Sequence, residues 1–276
     1  MTVMVLPPLV GEFPQFGTQH LLILAICLAG ALLLAWLGRR LQGSRREPLV
    51  RYALAVGLIA FSLPTQLGQF APGEGPFKAA LPFQLCDLAW MVAAYALLVG
   101  GWRSRALLYF WGLTLSTQAI VTPSLEHLWP DPMFIGFWGL HAFTLWAAVY
   151  LCIGLGRGPD WRGYRWALLC TYAWAAVMMV FNAIVGTNYG FVNNKPPSAS
   201  VLNVLGPWPL YVVAEGALLA AVWALITWPW VARGTRQRPS RTALARSSAA
   251  TSVPPPEDTR SDSPDGRTGP AETEKA

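Results

Sequence analysis

Long, mostly apolar stretches alternate along the chain with short polar linkers. Their approximate bounds are 18–37, 52–70, 82–100, 105–122, 133–155, 164–186 and 207–231. A helix crosses the hydrocarbon of a bilayer when it runs for roughly 20 mostly apolar residues, within about 17–25, and each stretch meets that need. The pattern predicts an all-α, polytopic membrane protein with seven transmembrane helices in residues 1–232. Residues 233–276 differ in kind. They are rich in Arg, Ser, Thr and Pro, include Pro254-Pro255-Pro256, and hold almost no large apolar side chains. Such a segment buries too little surface to fold alone, so it reads as a disordered cytoplasmic tail whose arginines contact anionic lipid headgroups.

Composition agrees. Hydrophobic residues make up 54% of the 276 residues and charged residues 12%, with a mean hydropathy of +0.40. An ordinary soluble domain is about 25% charged. The net charge of +6 is explained by topology. Arg39, Arg40, Arg45, Arg46 and Arg51 follow the first stretch, Arg103 and Arg105 the third, and Arg157, Arg162 and Arg165 the fifth, whereas the alternate linkers hold only Lys78 and Lys195. Basic residues concentrate on the cytoplasmic side of membrane proteins. The expected orientation is therefore N-terminus out and C-terminus in, in the plasma (inner) membrane. No folded basic face suited to nucleic acid is present. Cys27, Cys86, Cys152 and Cys170 lie inside apolar runs without metal-ligand spacing, so neither a disulfide framework nor a zinc site is implied, and no cofactor is expected.

Polar residues inside hydrocarbon are costly and call for a reason. Here they gather toward one end: His20, Gln66 and Gln69, Cys86 and Asp87, Gln118, His141, Asn182 and Glu215 all fall in or at the rim of the outer halves of their stretches. That one-sided distribution predicts a polar cavity open toward the outer leaflet. Pro82 suits a first helical turn, which would place Cys86 on the second, near the positive end of the helix dipole. Such a position favours a thiolate, and a nearby His could take the proton. The last stretch has no Lys, which excludes a retinal Schiff base. The absence of His from the last two disfavours a seven-helix zinc hydrolase.

The run Leu81-Pro82-Phe83-Gln84-Leu85-Cys86-Asp87-Leu88 resembles the Leu-Pro-x-x-x-Cys-Asp signature of the YwaF-like bacterial membrane proteins. Phe137-Trp138-Gly139-Leu140-His141, then Asn182 with Thr187-Asn188-Tyr189 and Pro196, then Trp208-Pro209, are similar to further segments of that family. The resemblance covers about residues 16–230. The family is related to transmembrane protein 164, a cysteine-dependent acyltransferase acting on ether phospholipids. What this implies is a lipid acyltransferase or lipid hydrolase with membrane phospholipids as partners. In that reading Cys86 would be the acyl-accepting nucleophile and His141 its base. Asn182, Asn188 or Gln84 would donate to the oxyanion, Asp87 or Glu215 would orient His141, and Tyr189 would complete the polar surroundings. A reading of another class stays open: a small-molecule permease or lipid-binding scaffold whose cavity only recognises a ligand.

Overall fold

A computed structural model describes residues 11, 13–72, 76–195 and 204–237. The chain divides into a compact unit, Met1–Gly234, and a second, Thr235–Ala276. Of the second, only the end of a helix is described, and the rest of the expected tail, 238–276, lies outside the described residues.

The compact unit is helical, with no strand among the described residues. The long helices are α1 (Thr18–Leu41), α2 (Glu47–Gly68), α7 (Pro132–Ala148), α8 (Trp161–Val185) and α9 (Leu210–Gln237). Between α2 and α7 lie a four-residue turn of helix, α3 (Phe77–Ala80), then α4 (Leu85–Leu98), α5 (Trp102–Phe110) and α6 (Ser116–Val121). A π-helical turn, Trp111–Leu115, joins α5 to α6 in one rod, and a second, Val149–Gly154, prolongs α7. Among the described residues, five helices are long and apolar enough to cross a membrane: Thr18–Leu41, Glu47–Gly68, Pro132–Gly154, Trp161–Val185 and Leu210–Arg233.

The two remaining stretches depart from expectation for local reasons. The sequence pattern predicts the third over 82–100, but α4 has 14 residues. Proline keeps the residue before it out of the helical region, and Leu81 is extended, with ψ 141°. The chain stays non-helical through Gln84, turning tightly where the Phe83 N–H donates to Leu81 O, and Gln84 becomes the N-cap of α4. Cys86 is therefore the second residue of the helix, on its first turn rather than its second. The fourth stretch, predicted over 105–122, begins at Trp102 and is broken into pieces of 9, 5 and 6 residues. At Gly112 the space a Cβ would fill is taken by Ala148 Cβ and the Thr144 carbonyl. The π turn thus sits where Gly112 packs tightly against α7.

Packing in the bundle centres on small residues. Gly136 and Gly139 of α7 lie against Thr65 and Phe61 of α2, and Gly57 of α2 against Phe143. Gly38 of α1 meets the backbone of Gly154 directly. Close backbone approach of this kind is how helices gain dispersion energy where lipid is as apolar as the interface. The largest core cluster joins Leu54, Ala55 and Leu58 of α2 to Trp90, Ala93 and Leu97 of α4 and to Leu140, Ala147 and Leu151 of the α7 rod.

Candidate functional site

The chain leading into α4 is non-helical, so its carbonyls need hydrogen-bond partners from elsewhere in the fold. Trp174 of α8 and the connection after α8 provide them. The Tyr189 hydroxyl lies 2.8 Å from the Lys78 carbonyl and 3.0 Å from that of Leu81. The Trp174 indole donates to Phe83 O at 3.0 Å, and the Gly190 N–H to Gln84 Oε1 at 3.2 Å. In return, the Lys78 ammonium donates to the carbonyls of Val185 and Gly186 at the end of α8, where cations complement the helix dipole. Gly186 terminates α8 in the left-handed conformation, φ 71°, as helix ends commonly do.

Asn182 organises this strap. It is 2% exposed, and all four of its hydrogen-bonding positions are used. Its amide donates to Tyr189 O at 3.0 Å and Asn193 Oδ1 at 2.9 Å, and its oxygen accepts from the Thr187 hydroxyl at 2.9 Å and the Tyr189 N–H at 2.8 Å. Asn188 is also committed, donating to Asn194 O and accepting from the Asn194 N–H. Burial pushes the Tyr189 phenol above its ordinary pKa. Asp87 closes a reciprocal capping box. Its carboxylate accepts the Gln84 N–H at 3.1 Å, and its own N–H donates to the Gln84 side chain. Asn182, Asn188, Tyr189, Asp87 and Gln84 are thus gathered at the N-terminus of α4, where they hold the backbone. Asn182 has no donor left over for an oxyanion, whereas Asn188 keeps one N–H of its amide. The Gln84 amide nitrogen also remains, having no partner among the described residues.

Cys86 sits on the most buried stripe of α4, in line with Trp90, Ala93 and Leu97 at helical spacing. Its sulfur makes no hydrogen bond among the described residues. His141 of α7 is 5% exposed. Its Nδ1 lies 2.7 Å from the Phe137 carbonyl. A carbonyl only accepts, so Nδ1 carries the proton, and Nε2 of the neutral ring keeps its lone pair. Nε2 is buried and has no partner among the described residues. The orienting acceptor is therefore a backbone carbonyl one turn away. Asp87 is engaged with Gln84, and the half-buried Glu215 of α9 forms no hydrogen bond or ion pair among the described residues.

No hydrogen bond joins Cys86 to His141. His141 shares a face with Thr144 and Ala148, which back onto Gly112 of the π turn. Ser62 Oγ and Gln66 Oε1 of α2, Trp90 Nε1 of α4 and Trp138 Nε1 of α7 are likewise buried without partners among the described residues. Buried polar atoms are rarely left unmatched, and these belong to the three helices that carry or adjoin Cys86 and His141.

Of these, Gln66 stands out in the sequence as a polar residue in an apolar run. Trp90 and Ser62 carry no such signal, because each is common in cores. His20 proves structural: it is fully buried, with Nδ1 accepting the Phe16 N–H and Nε2 donating to Ile120 O. Cys152 donates weakly to Arg105 O at 3.8 Å, and none of the four cysteines is in a disulfide. Pro196 lies outside the described residues.

The fold and the apolar surface define a helical integral membrane protein. The TMEM164 family matches residues 15–227, the whole stretch from the start of α1 into α9, and the chain belongs to that family. No curated protein and no solved structure shows significant similarity to it.

Proposed function

We propose that this protein is a phospholipid acyltransferase or lipid hydrolase of the plasma membrane that works through a thioester on Cys86. The observation that carries the reading is the unpartnered, buried Nε2 of His141, a base whose tautomer is fixed by Phe137 and whose lone pair is not used by the fold. The proposed nucleophile, Cys86, lies on the first turn of α4, near the positive end of that helix's dipole. In this reading His141 takes the Cys86 proton through a bound water or a substrate hydroxyl. The sulfur attacks an ester carbonyl, the C–S bond forms and the ester C–O bond breaks. The leaving lysolipid oxygen then receives the proton from His141. A second lipid hydroxyl, or water, attacks the thioester and frees the thiol. The Gln84 amide and the second N–H of the Asn188 amide are the remaining side-chain donors for the oxyanion.

The same reading has the chain crossing the membrane seven times, with the short α4 and the α5–α6 rod as the third and fourth crossings. The arginine-rich linkers and the tail from about 233 onward face the cytoplasm, where the tail meets anionic headgroups. The reaction is expected on the outer-leaflet side. Lipid analysis of proteoliposomes holding the wild-type protein and Cys86→Ala tests the chemistry. Acyl chains should redistribute, or lysolipid accumulate, with the wild type and not with the variant. Uptake of a solute that survives Cys86→Ala, with unchanged lipids, would instead establish a permease.

A further inference from the structure

At the opposite end of the bundle from Cys86 the structure holds a cavity of about 300 Å³, lined by Trp102, Arg105 and Ala106 of α5, the loop Arg157, Gly158, Pro159 and Asp160, and Arg162 and Gly163 of α8. That volume is at the lower edge of the range for small-ligand sites, roughly 300–1,000 Å³. Three guanidinium groups border it, and none forms an ion pair among the described residues. The Arg162 guanidinium lies over the Trp102 ring, 4.1 Å from its centroid, a cation–π contact that holds it at the cavity. Arg103, just outside, stacks on Trp102 and Trp166 at 5.3 and 5.1 Å. The one carboxylate in the lining, Asp160, is occupied by the helix it starts, accepting the Gly163 N–H at 2.8 Å.

The backbone adds to the same field. The first turns of α5 and α8 both border the cavity. The α5 N-cap is Gly101, with no side-chain cap, and its Ser104 hydroxyl turns back to the carbonyls of Gly100 and Gly101, so it leaves the first-turn N–H groups open. Unpaired like charges around a void repel one another, and a helix start adds partial positive charge. An anion with several acceptor oxygens relieves both. Arginine's planar fork suits phosphate in particular.

We propose that this cavity is a binding site for a phosphate group, carried by an anionic lipid headgroup or by a soluble phosphate. The site is independent of the chemistry at Cys86. Its walls include Trp102, and Trp230 lies against Gly158. Aromatic residues of this kind sit at headgroup level, which places the cavity where a lipid phosphate would be found.

The test uses the full-length protein in phosphatidylcholine nanodiscs with and without phosphatidylglycerol, with lipid retained after detergent exchange read by native mass spectrometry. A second arm titrates inorganic phosphate and ATP calorimetrically into the phosphatidylcholine sample. Selective retention of phosphatidylglycerol identifies the lipid source, and saturable phosphate or ATP binding the soluble one. Whichever is seen should fall about tenfold or more in Arg157→Gln/Arg162→Gln, as for the loss of two charge-assisted contacts. It should rise several-fold in Asp160→Asn, which removes the opposing charge and keeps the cap. It should be unchanged in Arg39→Gln/Arg40→Gln, at the end of α1. Arg157 and Arg162 are exposed, so the double variant should fold; matching tryptophan fluorescence and gel-filtration profiles check this. Absence of both selective retention and saturable binding, or a double variant equal to wild type, overturns the proposal.

Discussion

Replacing Asn182 with alanine should cost the protein on the order of 3–5 kcal/mol, a large part of the roughly 5–15 kcal/mol that holds a typical domain together. Alanine removes four hydrogen bonds at once and leaves the buried N–H and carbonyl of Tyr189 without partners. A buried group left unmatched costs about 1–3 kcal/mol. Asn182→Asp should be nearly as damaging, because a carboxylate still accepts from Thr187 and Tyr189 but cannot donate to Tyr189 O or Asn193. The effect should spread to α4, since Tyr189 carries the carbonyls of Lys78 and Leu81. Thermal unfolding in detergent reads the stability. The rate of Cys86 modification by a maleimide, with the other three cysteines replaced, reads the loosening and should increase. A variant that melts with the wild type would show that the strap does not hold the start of α4.

His141→Ala is expected to lower the rate of acyl transfer by about 10²–10⁴-fold, the usual contribution of a general base, while leaving the protein folded. The imidazole makes one hydrogen bond, to a carbonyl on its own helix that stays within reach of the helical ladder. No described residue depends on Nε2. His141→Gln preserves volume and a polar tip but cannot accept and return a proton at neutral pH, so it should be as slow as alanine. A rate that Gln restores would make the residue a positioning group. The comparison requires single-turnover rates and unfolding curves on the same samples, so that loss of chemistry is separated from loss of fold.

The helical membrane architecture is legible in the periodicity of apolar stretches alone. That periodicity marks the five helices that are long and apolar enough to span, and it locates two further rods. It does not reveal that α4 is short, because Leu81-Pro82-Phe83 is as apolar as a helix. Only the restraint proline places on Leu81, together with Gln84 and Asp87 as a capping pair, marks the true start, and that pairing reads Gln-x-x-Asp rather than the usual Ser or Thr box. The π turns are illegible in the sequence; the first lies where Gly112 packs against Thr144 and Ala148 of α7, a tertiary contact that no local pattern encodes.

The candidate site is half legible. Polar residues in hydrocarbon point to Cys86, Asp87, His141, Asn182 and Glu215, since a cost must be offset. The sequence does not say whether the offset is a fold or a reaction. For Asn182, Asn188 and Asp87 the hydrogen bonds answer that it is the fold. For His141 they leave one nitrogen over. In the sequence the arginine pocket reads only as topological charge, because its lining comes from two linkers whose proximity depends on the packing of α5 against α8.

Acylation of Cys86 is the most direct test of the proposed chemistry. The measurement is intact-protein and peptide mass spectrometry of the full-length protein after incubation with phospholipid vesicles, quenched in acid to preserve thioesters. The expected result is a mass increase equal to one fatty acyl group on the peptide containing Cys86, removed by neutral hydroxylamine, absent in Cys86→Ala and slower to form in His141→Ala. An unmodified Cys86 under conditions where lipid acyl chains turn over, or equal acylation of Cys27, Cys86, Cys152 and Cys170, would contradict it.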